Sequence, residues 1–91
     1  MRHARAEDLD RIEELLVRLR GIAGLNEKRR GTFYVKSKAF LHFHEDPAGI
    51  FADVKLDLQE YSRVRINTAA EQAALLKKID TCLAAYGSKR E

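Results

Sequence analysis

Apolar residues recur at helical spacing near the start of the chain. They are Leu9, Ile12, Leu16 and Leu19. Steps of three and four residues place side chains on one face of an α-helix. Gly21 and Gly24 can both end such a helix, because glycine adopts the left-handed conformation common at helix C-termini. We therefore predict an amphipathic helix that is capped by Asp8 and ends between these two glycines.

The pattern changes to strict alternation from Thr32 onwards, which is the period of a β-strand with one buried face. The preceding stretch, Asn26 to Gly31, contains no apolar residue and three consecutive basic ones, and predicts a solvated connection. The alternation predicts four strands, at about Thr32–Lys36, Ala39–Glu45, Ile50–Leu56 and Tyr61–Thr68.

The turns between these strands set their register. A three-residue loop at Lys36–Lys38 and a four-residue turn at Asp46–Gly49 each bring apolar residues opposite one another. The predicted pairs are Phe33 with Leu41, Val35 with Ala39, Leu41 with Val54, and Phe43 with Ala52. A slip of one residue would turn every side chain to the other face, so the matching of apolar residues supports these registers. The pairing of the fourth strand stays open.

The stretch Thr68–Glu71, "TAAE", has the form of a capping box, in which the threonine and glutamate side chains satisfy each other's backbone amides. A helix is predicted from there to about Tyr86, with its end at Gly87. Its apolar stripe consists of Leu75, Leu76, Ile79 and Leu83. The predicted fold is α+β with two layers: an N-terminal helix, a four-stranded antiparallel meander and a C-terminal helix, with both helices on one face of the sheet.

This order of elements resembles the MmcQ/YjbR-like family of small α+β proteins. The matching residues are Phe33, Val35, Lys38, Phe40, "ADVKLD" at 52–57, "RVRIN" at 63–67 and "LLKKID" at 75–80. The resemblance implies the fold described above and the DNA binding that has been suggested for the family from its shape; it implies no catalytic motif. Family members usually carry an extra segment before the late strand, where this chain has only Leu58–Glu60, so it resembles a shortened member.

Composition limits the classes of function. The 91 residues predict a single domain, 1–91, with an ordered core at about residues 8–87. Seventeen Lys and Arg against fourteen Asp and Glu give a net charge of +3, which is compatible with anionic partners. The lone Cys82 cannot form an internal disulfide, and no apolar run is long enough for a signal peptide or a membrane span. We expect a cytoplasmic protein with no membrane partner.

The face of the sheet opposite the helices, called the outer face below, interleaves aromatic and basic residues. By alternation it carries Tyr34, Lys36, Phe40, Lys55, Tyr61, Arg63 and Arg65, next to the basic loop Lys28, Arg29 and Arg30. Such residues stack on unpaired bases and neutralise phosphates, so nucleic acid is one candidate partner. The same aromatics suit the interface of a homodimer, or a solvated face on which basic side chains lie over the rings.

Three further residues of the outer face have the chemistry of metal ligands. His42 and His44 point the same way, and Asp53 lies opposite His42 in the predicted register. Asp53 alone satisfies His42, however, and the sequence identifies no groups that would orient the ligands, so we expect neither a metal site nor a cofactor. No catalytic motif is present, and we expect a small non-catalytic binding domain, with metal-dependent activity at His42 and His44 as an alternative.

Overall fold

The computed structural model describes residues 2–89. In chain order the elements are β1 (Arg2–His3), α1 (Ala6–Asp10), α2 (Glu13–Arg20), β2 (Leu25–Arg29), β3 (Thr32–Val35), β4 (Lys38–Asp46), β5 (Gly49–Val54), β6 (Ser62–Arg65) and α3 (Ala69–Lys89). The strands form one antiparallel sheet in the order β2-β3-β4-β5-β6, and β1 pairs with β4. The α+β class with an antiparallel sheet is confirmed. The sheet has six strands, however, rather than the predicted four.

The two additional strands lack the pattern on which the prediction depended. β2 covers most of the segment predicted as a solvated connection, and only Leu25 of this edge strand is buried. Its place in the sheet depends on backbone pairing with β3, which requires no apolar side chains. β1 is two residues long, too short to show a period of two.

The N-terminal helix is interrupted. The expected single helix is divided into α1 and α2 by a turn at Arg11 and Ile12. Asp8 lies inside α1 rather than at its start, and its Oδ2 accepts a hydrogen bond from the backbone amide of Arg5 at 2.9 Å. α2 ends at Arg20 with Gly21 at its C-cap, at the first of the two predicted glycines.

A β-bulge in β4 changes the predicted hairpin register. Phe33 pairs with Leu41 as predicted, but Tyr34 pairs with Ala39, so Phe40 is an extra residue in β4. A bulge interrupts the alternation of the two faces. Phe40 therefore points into the core and is only 1% exposed, and its predicted place on the outer face is wrong. The predicted pairing of Val35 with Ala39 is wrong for the same reason, since Val35 pairs with Lys38.

The registers beyond the bulge follow the alternation. Leu41 pairs with Val54 and Phe43 with Ala52, as predicted. The fourth predicted strand is β6, which pairs with β5 and places Val64 opposite Ala52.

The capping box at the start of α3 is confirmed. The amide of Glu71 donates to Thr68 Oγ1 at 3.1 Å, and the amide of Thr68 donates to Glu71 Oε1 at 3.2 Å. The predicted end at Gly87 is wrong, because α3 continues to Lys89. A glycine inside a helix destabilises it by only about 1 kcal/mol relative to alanine, so a helix can end at a glycine but can also continue through it.

Both long helices contribute to one core. Leu16 and Leu19 of α2 and Leu75 and Ile79 of α3 are fully buried in a single cluster with the inward residues of the sheet. α2 and α3 also contact each other. Because His42, His44 and Asp53 alternate with the inward residues of β4 and β5, they lie on the outer face. None of the helices described between residues 2 and 89 is long and apolar enough to cross a membrane.

The position of Phe40 can be tested by comparing two identical substitutions. Phe40→Ala removes a ring that is 1% exposed, and we expect it to lower the free energy of unfolding by about 3–5 kcal/mol. Phe51 is half-buried on the outer face, and Phe51→Ala should lower the free energy of unfolding by less than half as much. Urea denaturation of both variants measures the difference. Equal losses would contradict the inward position of Phe40.

Candidate metal centre on the outer face

All three histidines of the chain lie together on the outer face of the sheet. His42 and His44 alternate along β4, as predicted, and His3 joins them from β1, where it pairs with His44. One nitrogen of each ring lies within 4.8 Å of those of the other two. The ring centroids of His3 and His44 are 4.6 Å apart, and those of His42 and His44 are 4.9 Å apart. These three residues are called the histidine cluster below.

Ion pairs of Arg2 hold His3 in place. The guanidinium of Arg2 lies 3.2 Å from the carboxylate of Asp8 in α1 and 3.0 Å from that of Glu45 in β4. The backbone amide of Ala4 also donates to the carbonyl of Phe43 at 3.1 Å. The chain on both sides of His3 is therefore fixed to β4. Sequence reasoning missed His3 because neither spacing nor periodicity relates it to His42 and His44.

Asp53 lies opposite His42, as predicted, but its carboxylate contacts Arg63 and His44 instead. Its two oxygens accept hydrogen bonds from Nε and Nη2 of Arg63 at 2.9 and 3.1 Å. Oδ2 also lies 2.8 Å from His44 Nδ1. Asp53 is 6% exposed, so these contacts provide the charge compensation that a buried carboxylate requires. Asp53 is therefore placed to orient a histidine ligand rather than to bind a metal itself.

Two nitrogens in the histidine cluster are buried without hydrogen bonds. Nδ1 of His42 has no hydrogen-bond partner in the described part of the chain. Nδ1 of His44 is at ion-pair distance from Asp53, but the contact does not have the geometry of a hydrogen bond. Leaving such an atom unsatisfied costs about 1–3 kcal/mol. His42 Nδ1, a buried and unsatisfied imidazole nitrogen, is the kind of group that a transition metal ion would bind.

The local electrostatics favour the protonation states that metal binding needs. Burial lowers the pKa of His42, and the neighbouring His44 and His3 add to this effect, while the charge of Asp53 opposes it. For Asp53, burial is the largest single influence and raises the pKa, but the hydrogen bonds and positive charge of Arg63, together with the nearby histidines, outweigh it, so the net shift is downwards. At neutral pH His42 is therefore neutral and Asp53 is ionised, as a ligand and its supporting carboxylate should be.

Several residues predicted for a nucleic-acid or partner interface are already engaged within the chain. Arg63 is bound by Asp53, and Arg30 lies 2.8 Å from both Asp10 and Glu13. Arg65 lies 3.8 Å from Glu71. Phe40 is in the core. These positions reduce the number of basic and aromatic groups that the outer face offers to a partner.

The remaining predicted residues form pairs of a basic group over a ring. Lys28 Nζ lies 5.5 Å from the ring centre of Tyr34, and Lys55 Nζ lies 4.9 Å from that of Tyr61. Lys36 lies apart from them, beside a pocket at the β3–β4 hairpin. Among the residues whose burial is described, only Val17 and Tyr61 are exposed large hydrophobic side chains, which gives no support to a homodimer interface.

A pocket of about 380 Å³ adjoins the histidine cluster. Two of its lining residues, His3 and His42, belong to the cluster. Arg29, from the predicted basic loop, lines the same pocket together with Thr32 and Tyr34. The structure thus brings Arg29 and Tyr34 near the histidines, although the sequence prediction assigned them to a different function.

Comparison of the chain with models of known protein families, with curated proteins and with solved structures finds no match. The resemblance to the MmcQ/YjbR-like family stays a prediction from the sequence.

The lowered pKa of His42 predicts a pH dependence of stability in metal-free protein. Because its folded pKa lies below the ordinary 6.5, the unfolded state takes up the proton first as the pH falls. The free energy of unfolding should therefore decrease as the pH falls below about 7, until the folded pKa is reached. Urea denaturation in EDTA and an NMR titration of His42 measure this.

The His42→Gln variant is the control, and it should lose this part of the pH dependence. A folded pKa of His42 above 6.5 would contradict the electrostatic description.

Proposed function

We propose that this protein is a metal-binding domain in which His3, His42 and His44 hold one divalent transition metal ion of the zinc class. The observation that carries the proposal is the meeting of all three histidines of the chain, from two strands, with nitrogens within 4.8 Å of one another. Three histidines are an established ligand set for zinc.

The histidine nitrogens lie somewhat farther apart than in a zinc site, so they would move closer together when zinc binds. Two nitrogens bound to one tetrahedral zinc ion lie about 3.3 Å apart, because each Zn–N bond is about 2.0–2.1 Å long. The largest separation in the cluster is 4.8 Å, so side-chain movements of about 1–1.5 Å are required. Rotation of the histidine rings supplies movements of this size, and β1 and β4 stay paired through backbone hydrogen bonds.

The groups around the cluster support the same function. Metal-binding histidines commonly donate their second ring nitrogen to a carboxylate, which fixes the ring and strengthens the ligand. Oδ2 of Asp53 lies 2.8 Å from His44 Nδ1, near enough to accept from it after a small rotation of the ring, and Arg63 holds Asp53 through two hydrogen bonds. These are the orienting groups that the sequence did not reveal. Imidazole ligands without a thiolate favour zinc, nickel or copper(II) over copper(I).

Zinc binding can be measured directly with tag-free protein. Isothermal titration calorimetry should give one zinc ion per chain, and zinc should raise the thermal unfolding temperature. Replacing His44 by Gln removes a ligand and should weaken binding by more than about 100-fold, because loss of a supporting partner alone costs about 10–100-fold.

Two matched variants separate the role of Asp53 from a general effect of charge. Asp53→Asn should weaken zinc binding by about 10–100-fold, because the neutral amide no longer supports His44. Asp80→Asn makes the same change at an exposed position of α3 and should leave the affinity unchanged. The proposal fails if zinc neither binds nor stabilises the protein, or if His44→Gln binds zinc as tightly as the wild type.

A second candidate function is the binding of single-stranded nucleic acid, which the two lysine–tyrosine pairs of the outer face favour. Tyr34 and Tyr61 would each stack on a base, at about 1–3 kcal/mol per base, while Lys28 and Lys55 contact phosphates. Phe40 takes no part, since it is buried.

A charge reversal tests this second candidate. Lys55→Glu should weaken the binding of single-stranded DNA or RNA, and Lys77→Glu, which makes the same change on the exposed side of α3, should not. Fluorescence anisotropy at low and moderate salt measures both. Absence of binding by the wild type at low salt would eliminate this function and leave zinc binding unaffected.

A further inference from the structure

The pocket beside the histidine cluster has its origin in the topology of the sheet. β3 pairs with β4 as far as Leu41, and β1 pairs with the same edge of β4 from His44 onwards. Between these ladders, His42 and Phe43 have no paired residue on this edge of the described sheet, although the Ala4 amide donates to the Phe43 carbonyl, and both residues line the pocket of about 380 Å³. This gap in strand pairing is therefore a structural consequence of placing two short strands along one edge of a long one.

The proposed metal site would keep at least one coordination position open for a further ligand. Three histidines leave at least one position of a tetrahedral ion for another ligand. Asp53 does not supply it, because its oxygens are engaged by Arg63 and lie beside His44. His3 and His42 border the pocket, so a small molecule in the pocket has access to both of these ligands.

The pocket has a positive charge even without a metal ion. Its lining contains no Asp or Glu. Arg29 forms no ion pair in the described part of the chain, whereas the charge of Arg30 is balanced by Asp10 and Glu13. A guanidinium without a carboxylate partner is suited to bind a planar anion through two hydrogen bonds.

The rest of the lining indicates an organic ligand. Leu9, Ala39 and Phe43 contribute apolar lining, and Thr32 and Tyr34 are lining residues that carry hydroxyl groups. The volume of about 380 Å³ falls in the range of small-molecule pockets. An inorganic anion would leave the apolar walls without contacts, whereas a small carboxylic acid brings an apolar body together with its charge.

We infer that the pocket binds a small organic carboxylate, which completes the coordination at the histidine cluster and contacts Arg29. The inference rests on the proposed metal binding and makes the protein a metal-dependent receptor for small organic acids. Arg29 contributes charge and orientation, and the gap between β1 and β3 admits the body of the acid.

The experiment uses tag-free protein loaded with Co²⁺, whose visible absorption reports changes in coordination. A first titration with Co²⁺ tests metal binding. Acetate and benzoate are then added, with inorganic phosphate and chloride as controls. We expect saturable spectral changes with the carboxylates, tighter binding of benzoate than of acetate because of the apolar walls, and much weaker effects of phosphate and chloride.

Two matched substitutions locate the binding. Arg29→Gln should weaken benzoate binding at least tenfold and leave Co²⁺ affinity within about twofold, since Arg29 is not a metal ligand. Arg18 is exposed on α2 and lies outside this pocket, so Arg18→Gln should change neither benzoate binding nor Co²⁺ affinity. Tyr34 also lines the pocket, and Tyr34→Phe removes its hydroxyl group but keeps the ring. This variant should also weaken benzoate binding.

The outcomes distinguish the two proposals. If Co²⁺ does not bind, the proposed function fails and the inference fails with it. If Co²⁺ binds but carboxylates leave the spectrum unchanged, the inference alone is overturned. It is also overturned if phosphate and chloride act as strongly as benzoate, or if neither Arg29→Gln nor Tyr34→Phe weakens benzoate binding.

Discussion

The outer face of the sheet depends on one buried carboxylate. Asp53 is 6% exposed, and a carboxylate at that depth is stable only when it is paired and hydrogen-bonded. The registers of the sheet provide this pairing, because β4, β5 and β6 place His42, Asp53 and Arg63 in one row across three strands. Arg63 binds both oxygens of Asp53, and His44 lies beside one of them. The core packing that sets these registers thereby also sets the geometry of the histidine cluster.

The two faces of the sheet separate the phenylalanine rings of the core from the histidine cluster. The bulge in β4 turns Phe40 inwards, where the ring joins Leu41 in the core. Beyond the bulge, alternation is regular and directs His42 and His44 outwards. A local irregularity at one end of β4 thus increases the buried apolar surface without changing the outward direction of the histidines.

The sequence predicts the parts of the structure whose signals are local. Alternation with a short turn sets the pairing of β4 with β5 and the opposition of His42 and Asp53, and the side-chain chemistry of Thr68 and Glu71 identifies the start of α3. Strand β2 is missed because an edge strand needs few apolar residues. The bulge at Phe40 is missed because one inserted residue leaves the pattern of β4 nearly unchanged. His3 reaches the cluster through contacts of Arg2 with distant carboxylates, which no short sequence window contains.

X-ray absorption spectroscopy of the zinc-loaded protein is the sharpest test of the three-histidine site, because it identifies the atoms bound to the metal. We expect about three imidazole nitrogens at about 2.0–2.1 Å and one further oxygen or nitrogen ligand, with one imidazole fewer in the His44→Gln variant. A sulfur at about 2.3 Å, which would indicate Cys82, or a coordination shell without imidazole, would contradict it.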